Sequence, residues 1–218
     1  MYPTLLVFAS LVAAIISVGS EGTSSNDPPV DAWRTVTLTE AFYLMHRSFK
    51  TDAGLGGNGK CVSIQLSTKD DTTRTTKSRI TYKNPETSQL IEKTVCVTVP
   101  RPDGSTVGDT IRMSNTESCE AQTTEVRFVY SDYGTCDVTV VLETDGSSSK
   151  CELWVKKGYQ QHLEDDTGGV ASRDDSSVKR SIAKCKEAYE KQCKGPKYQI
   201  YEKDTCGSLA NESKETEN

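Results

Sequence analysis

The chain has 218 residues, 26 Lys or Arg against 31 Asp or Glu, a formal charge of −5, eight cysteines and two histidines. Residues of the AVILMFWYC class make up 34% and charged residues 26%, which excludes a membrane bundle and a long disordered chain. A net acidic chain with scattered Lys and Arg carries no footprint for nucleic acid. His46 and His162 have no metal-ligand spacing around them, so no zinc centre is expected, and no cofactor motif is present.

Residues 1–20 contain no charged side chain, and their apolar run, 5–18, is shorter than the roughly 20 residues a spanning helix needs. Small residues at Val18, Gly19 and Ser20 complete the pattern of a secretory signal peptide. Residues 21–30 read as a flexible polar leader, 31–206 as one domain and 207–218 as a disordered polar tail. In a secreted protein, an even number of cysteines without CxxC pairs or Cys/His clusters reads as a disulfide framework. Asn211-Glu212-Ser213 is a glycosylation sequon in the tail.

Asp31-Ala32-Trp33-Arg34 opens a short helical turn, and period-2 segments follow. Strands are predicted over 41–49, 61–66, 78–83, 89–99, 106–113, 124–130, 137–142 and 151–155. The glycine-rich loop 54–59 lacks the Lys-Ser/Thr of a phosphate loop and leads into a strand, so it offers no nucleotide site. The acidic stretch 160–177, including Glu164, reads as a surface loop. From 176 to 193 the period changes. Val178, Ile182, Cys185, Tyr189 and Cys193 form one stripe of an amphipathic helix, with Asp174, Asp175 and Ser176 as N-cap candidates and Gly195-Pro196 as its stop. A short strand is expected at 198–201. Many short strands fit a sandwich or an up-and-down barrel; eight strands followed by one helix is the element order of a lipocalin.

The stretch 136–154 carries the candidate chemistry. A two-residue turn at Asp145-Gly146 pairs Asp137 with Trp154 and Thr139 with Glu152, and all four share one face. Val138, Val140, Leu142, Leu153 and Val155 take the other face. A loop one residue longer breaks this parity. Which face is interior stays open at this level. With the aliphatic face inward, Asp137 and Glu152 are solvated surface charges; with that face under the helix, both acids enter the cavity. Two carboxylates in a low-dielectric pocket are costly unless a cation joins them or one takes a proton. A small organic ammonium suits such a pocket, because carboxylates accept its N–H bonds and Trp154 offers a cation–π face. Phe42, Phe128 and Tyr130 are further candidates to cover a ligand ring.

Tyr130-Ser131-Asp132-Tyr133, Cys136-Asp137-Val138 and Glu152-Leu153-Trp154 resemble the signature of the tick salivary lipocalins, the histamine-binding family. Amine binders of that family carry Cys-Asp-aliphatic and, after a variable spacer, Glu-Leu-Trp or Glu-Leu-Tyr. Asp31-Ala32-Trp33, Arg47-Ser48-Phe49, Gly59-Lys60-Cys61-Val62 and Tyr201-Glu202-Lys203-Asp204-Thr205-Cys206 extend the resemblance over most of the chain. It implies a mainly β fold: an eight-stranded antiparallel up-and-down lipocalin barrel with a C-terminal α-helix packed outside. It implies a secreted, monomeric binding protein, not an enzyme, that sequesters host histamine or serotonin and has no membrane or nucleic-acid partner. Asp137, Glu152 and Trp154 are placed inside the barrel by this resemblance, and Asp52 and Glu92 are added as a second acidic set. Its implied disulfides are Cys61–Cys206, Cys136–Cys185 and Cys151–Cys193, which leaves Cys96 to pair with Cys119. Leu55 stands where amine binders show an aromatic, and 106–113 has none. That departure motivates a second reading, an eicosanoid, fatty acid or sterol as ligand. A third is a decoy that binds a host protein through its loops.

Overall fold

The computed structural model describes residues 29–101, 107–142, 150–164 and 173–207. The expected signal peptide, most of the leader, the Asp145-Gly146 turn and Asn211 lie outside the described residues.

The elements are α1 (Ala32–Val36), β1 (Phe42–Arg47), β2 (Lys60–Asp70), β3 (Thr75–Lys83), β4 (Leu90–Thr98), β5 (Thr110–Ser114), β6 (Thr123–Ser131), β7 (Cys136–Leu142), β8 (Lys150–Lys156), α2 (Gln161–Glu164), α3 (Arg173–Gln192), β9 (Tyr198–Gln199) and α4 (Lys203–Cys206). The antiparallel strands are ordered β2-β3-β4-β5-β6-β7-β8-β1-β9, and pairing of β1 with β2 closes the first eight into a barrel. Closure leaves none of the eight with a long free edge. Strand β2 runs to Asp70, beyond the predicted 61–66, because its last residues are exposed at the rim and carry no apolar alternation. Helix α3 begins at Arg173, so Asp174, Asp175 and Ser176 lie in its first turn and do not precede it. The short helix α2 replaces part of a stretch read as loop, and α4 adds a turn within the Tyr201–Cys206 motif; one helical turn is too brief to show a period.

One end of the barrel is shut by α1. Asp31 caps this helix, its carboxylate accepting from the Arg34 amide at 3.2 Å. The Tyr130–Tyr133 motif proves to be the turn that holds α1 down. Asp132 accepts from the amides of Gly134, Thr135 and Cys136 at 2.7–3.2 Å. The Tyr133 hydroxyl then accepts from the Asp31 amide at 2.9 Å, and the Arg34 guanidinium lies 3.9 Å above the Tyr133 ring. Beneath α1, Ala32 packs with Val97, Val99, Ile111, Val126 and Phe128.

Helix α3 packs outside, against β7, β8 and β6. Its stripe of Ile182, Cys185, Tyr189 and Cys193 is buried on Val138, Val140, Leu153 and Val155. The aliphatic face of the β7–β8 hairpin therefore lies under the helix, and its other face is the barrel interior. Disulfides Cys136–Cys185 and Cys151–Cys193 rivet α3 to β7 and β8, with Cα separations of 6.3 and 5.9 Å. Cys61–Cys206 ties the start of β2 to α4, and Cys96–Cys119 joins β4 to the β5–β6 loop, at 5.3 and 5.1 Å. All four Cα spans lie in the range that a disulfide bridges.

Candidate functional site

Strands β7 and β8 pair Asp137 with Trp154 and Thr139 with Glu152. The two carboxylates are thus carried by diagonal neighbours on one face, residues roughly 7–8 Å apart in such a pair. Both are buried, at 5% and 4% exposure, and both line a cavity of about 100 Å³ in the middle of the barrel. One water needs roughly 10–15 Å³ on this measure, so the space takes a small organic molecule. Its remaining wall is mostly apolar and includes Leu38, Phe42, Leu55, Met113, Phe128 and Trp154. Among the described residues, no group of three His, Cys, Asp or Glu is placed to hold a metal ion.

The two acids are held differently. Glu152 Oε2 accepts from Thr139 Oγ1 at 2.9 Å and from the Trp154 indole N–H at 3.1 Å. Asp137 Oδ1 is buried and has no hydrogen-bond partner. Burial pushes the Asp137 carboxyl up to about 7, against a lowering hydrogen bond from Ser131 and helped by the charge of Asp132. Burial likewise raises Glu152 to about 7; Asp52 adds to the rise, while Thr139, Trp154 and Arg47 oppose it.

Two β-bulges set what else faces inward. In β1, Leu44 pairs with Trp154, the register shifts, and His46 pairs with Leu153 while Arg47 pairs with Glu152. Met45 and His46 consequently both take the helix side, and Arg47 turns in beside Glu152. His46 is held to about 4 by burial first and by Lys197 and Lys186 next, so it stays neutral. In β6 the shift between Phe128 and Tyr130 does the same. Phe128 lines the cavity, Tyr130 packs toward α3, and Ser131 faces Asp137. Each bulge spends one extra residue to turn a polar side chain inward next to a carboxylate.

Arg47 is fully buried. Its Nη2 donates to the carbonyls of Lys50 at 2.6 Å and Gly57 at 2.7 Å, gripping both ends of the β1–β2 loop. Burial lowers its pKa, while Asp52 and Glu152 raise it. The loop reaches over the barrel mouth. Leu55 enters the cavity wall, Gly54 sits against Asn115, and Gly56, at φ +85°, leaves no room for a side chain beside the Tyr82 ring. Replacing Arg47 by Met is expected to release this loop. Amide exchange at Leu55 and Gly57 should accelerate well ahead of the barrel strands, measured by hydrogen–deuterium exchange; equal protection in both proteins would refute the latch.

The second acidic set is not brought together. Asp52 Oδ1 accepts from the Gly54 and Leu55 amides at 2.7 and 3.0 Å, which uses the carboxylate to shape the loop. Glu92 is exposed on the outside of β4, 3.9 Å from Arg79. Alternation along β4 puts Lys93, with Val95 and Val97, on the interior side instead. Neither Asp52 nor Glu92 lines the cavity. Arg47 was visible in the sequence only as part of a motif, since no local signal marks a bulge.

The family model for the tick histamine binding protein matches residues 20–208. The chain belongs to the tick histamine-binding protein family. A male-specific histamine-binding salivary protein of Rhipicephalus appendiculatus is 31% identical over 130 residues, 58% of this chain and 64% of that protein. The chain thus aligns with just under two thirds of that relative's length. Among solved structures, lobster apocrustacyanin A1 superposes with a TM-score of 0.51 at 10% identity, covering 80% of this chain and 83% of its own. H1 crustacyanin from Homarus americanus gives the same TM-score and identity, with coverages of 80% and 82%. At such identities these two show the lipocalin fold alone. Family and fold are those of ligand-binding lipocalins, not of enzymes.

Proposed function

We propose that this protein sequesters a small biogenic amine, histamine or serotonin, inside its barrel, and that it does so as a secreted protein acting on a host inflammatory mediator. The observation that carries this reading is Asp137 Oδ1, a buried carboxylate oxygen with no donor in a mostly apolar cavity. An unpaired buried charge of that kind asks for a cationic donor. An alkylammonium supplies both the charge and the N–H bonds, with Asp137 as its anchor and Glu152 nearby. Trp154, Phe42 and Phe128 then enclose the ring. The salivary relative and the four disulfides support secretion, and no described helix is long and apolar enough to cross a membrane.

The limited cavity volume favours a small amine over a sterol or fatty acid. Calorimetric titration with histamine and with serotonin tests the reading. Saturable heat at micromolar amine is expected; no heat from folded protein, or a lipid recovered in organic extracts, would sink it.

The raised acids also set a pH dependence. Cation binding needs carboxylates, so amine affinity should climb as pH rises from 6 to 8 through their pKa values of about 7. Stability of the empty barrel runs the other way. Both folded pKa values lie above the unfolded ones, so the protonated native state is favoured at low pH and that contribution is lost as pH rises from about 4 to 7. Thermal melts at pH 5 and 8 should therefore show the amine-free protein more stable at pH 5, and amine should narrow the gap.

A further inference from the structure

The outer side of α3 and the turn after it have no role in the cavity, and they carry a charge opposite to the rest of the chain. Between 179 and 197 there are seven Lys or Arg against two acids, Glu187 and Glu190, in a protein whose net charge is −5. The remaining residues hold 19 cations and 29 anions. Arg180, Lys184, Lys191, Lys194 and Lys197 are all exposed, and among the described residues none of them forms an ion pair within 4 Å.

Their placement is linear. Steps of four and seven residues put Arg180, Lys184 and Lys191 within about 40° of one azimuth and about 6 and 10 Å apart along the helix. Lys194 follows just past the helix end, Lys197 lies 5.7 Å over the buried Tyr189 ring on the sheet side, and Glu187 and Glu190 are the acids between Lys184 and Lys191.

We infer that the outer face of α3, with Lys194 just past its end, is a docking strip for a sulfated polysaccharide chain. A row of cations matches a linear polyanion by charge and by shape. A bilayer is a poorer match, because among the described residues the face exposes no large apolar side chain to insert; the exposed one among them, Leu90, is on β4. Single-stranded nucleic acid is poorer too, since the aromatic residue of α3, Tyr189, is buried against the sheet and offers no stacking platform. The strip lies across the barrel wall from Asp137, so amine and polysaccharide can be held together, and an amine carrier would be retained in a sulfated extracellular matrix.

Chromatography on immobilised heparin, followed by titration with a heparin oligosaccharide at low and high salt, tests this on the whole protein. The acidic wild type is expected to be retained at 50 mM NaCl and released as salt rises. Lys184→Glu/Lys191→Glu/Lys194→Glu should bind about tenfold more weakly or worse, and the triple Lys→Gln variant should fall between the two. Lys69→Glu/Arg79→Glu, on β2 and β3, should be retained like the wild type. Amine heats should be unchanged in all of these, which separates a failure here from a failure of the cavity reading. No retention of the wild type would overturn the proposal. So would equal retention of the triple variants, or tighter binding to phosphatidylserine vesicles or single-stranded DNA than to heparin.

Discussion

Asp137→Asn is expected to weaken amine binding by roughly 100-fold while leaving the barrel folded. Truncating one partner of a buried, hydrogen-bonded charge pair costs about 2–5 kcal/mol, and about 1.4 kcal/mol is tenfold. The amide keeps the shape but offers no charge to an ammonium. In the absence of amine the same change should raise stability at pH 8, because a buried carboxylate with one unpartnered oxygen is removed. Glu152→Gln should behave differently. Glu152 already accepts from Thr139 and Trp154 and balances Arg47, so its loss weakens binding and also leaves a buried guanidinium with less counter-charge. A lower melting temperature in Glu152→Gln, beside a higher one in Asp137→Asn at pH 8, would separate the acid that anchors the ligand from the acid that also holds the wall. Calorimetry and thermal melts on the same two proteins read both effects, and full amine affinity in Asp137→Asn would refute the anchor.

The largest stability loss should follow from Cys61→Ser/Cys206→Ser. This bridge closes a loop of 145 residues, against 23 for Cys96–Cys119. In the chain-entropy account the longer loop is worth about 5 kcal/mol and the shorter about 3. Against a typical domain stability of about 5–15 kcal/mol, losing the longer bridge places the barrel near its folding limit. Urea unfolding should show the double variant's midpoint well below that of Cys96→Ser/Cys119→Ser. Saturating amine should recover part of the loss by mass action. An order reversed between the two variants would mean that local packing around the bridges outweighs loop closure.

Much of the fold was legible because its signals are local. Alternation along 137–142 and 151–155 carried the correct cross-strand partners even though the turn between them lies outside the described residues. The helix stripe of Ile182, Cys185, Tyr189 and Cys193 was legible for the same reason: one face must meet the sheet. Two parts of the site were not. Strict alternation would send His46 inward with Phe42 and Leu44, and Tyr130 inward with Phe128. The bulges reverse both, and nothing in either stretch announces them. Glu92 followed a family pattern, but a single step of parity puts Lys93 inside in its place.

The sequence by itself determined an even set of eight cysteines without metal-type spacing, a run of period-2 strands followed by one amphipathic helix, and a face on which Asp137, Thr139, Glu152 and Trp154 stand together. Each of these depends on neighbours within a turn, a strand or a hairpin. Only the tertiary structure decided that this face is the inside. A strand pair with one polar and one aliphatic face packs equally well by its own pattern with either face buried. It is the docking of α3 onto Val138, Val140, Leu153 and Val155 that covers the aliphatic side and commits both acids to the cavity.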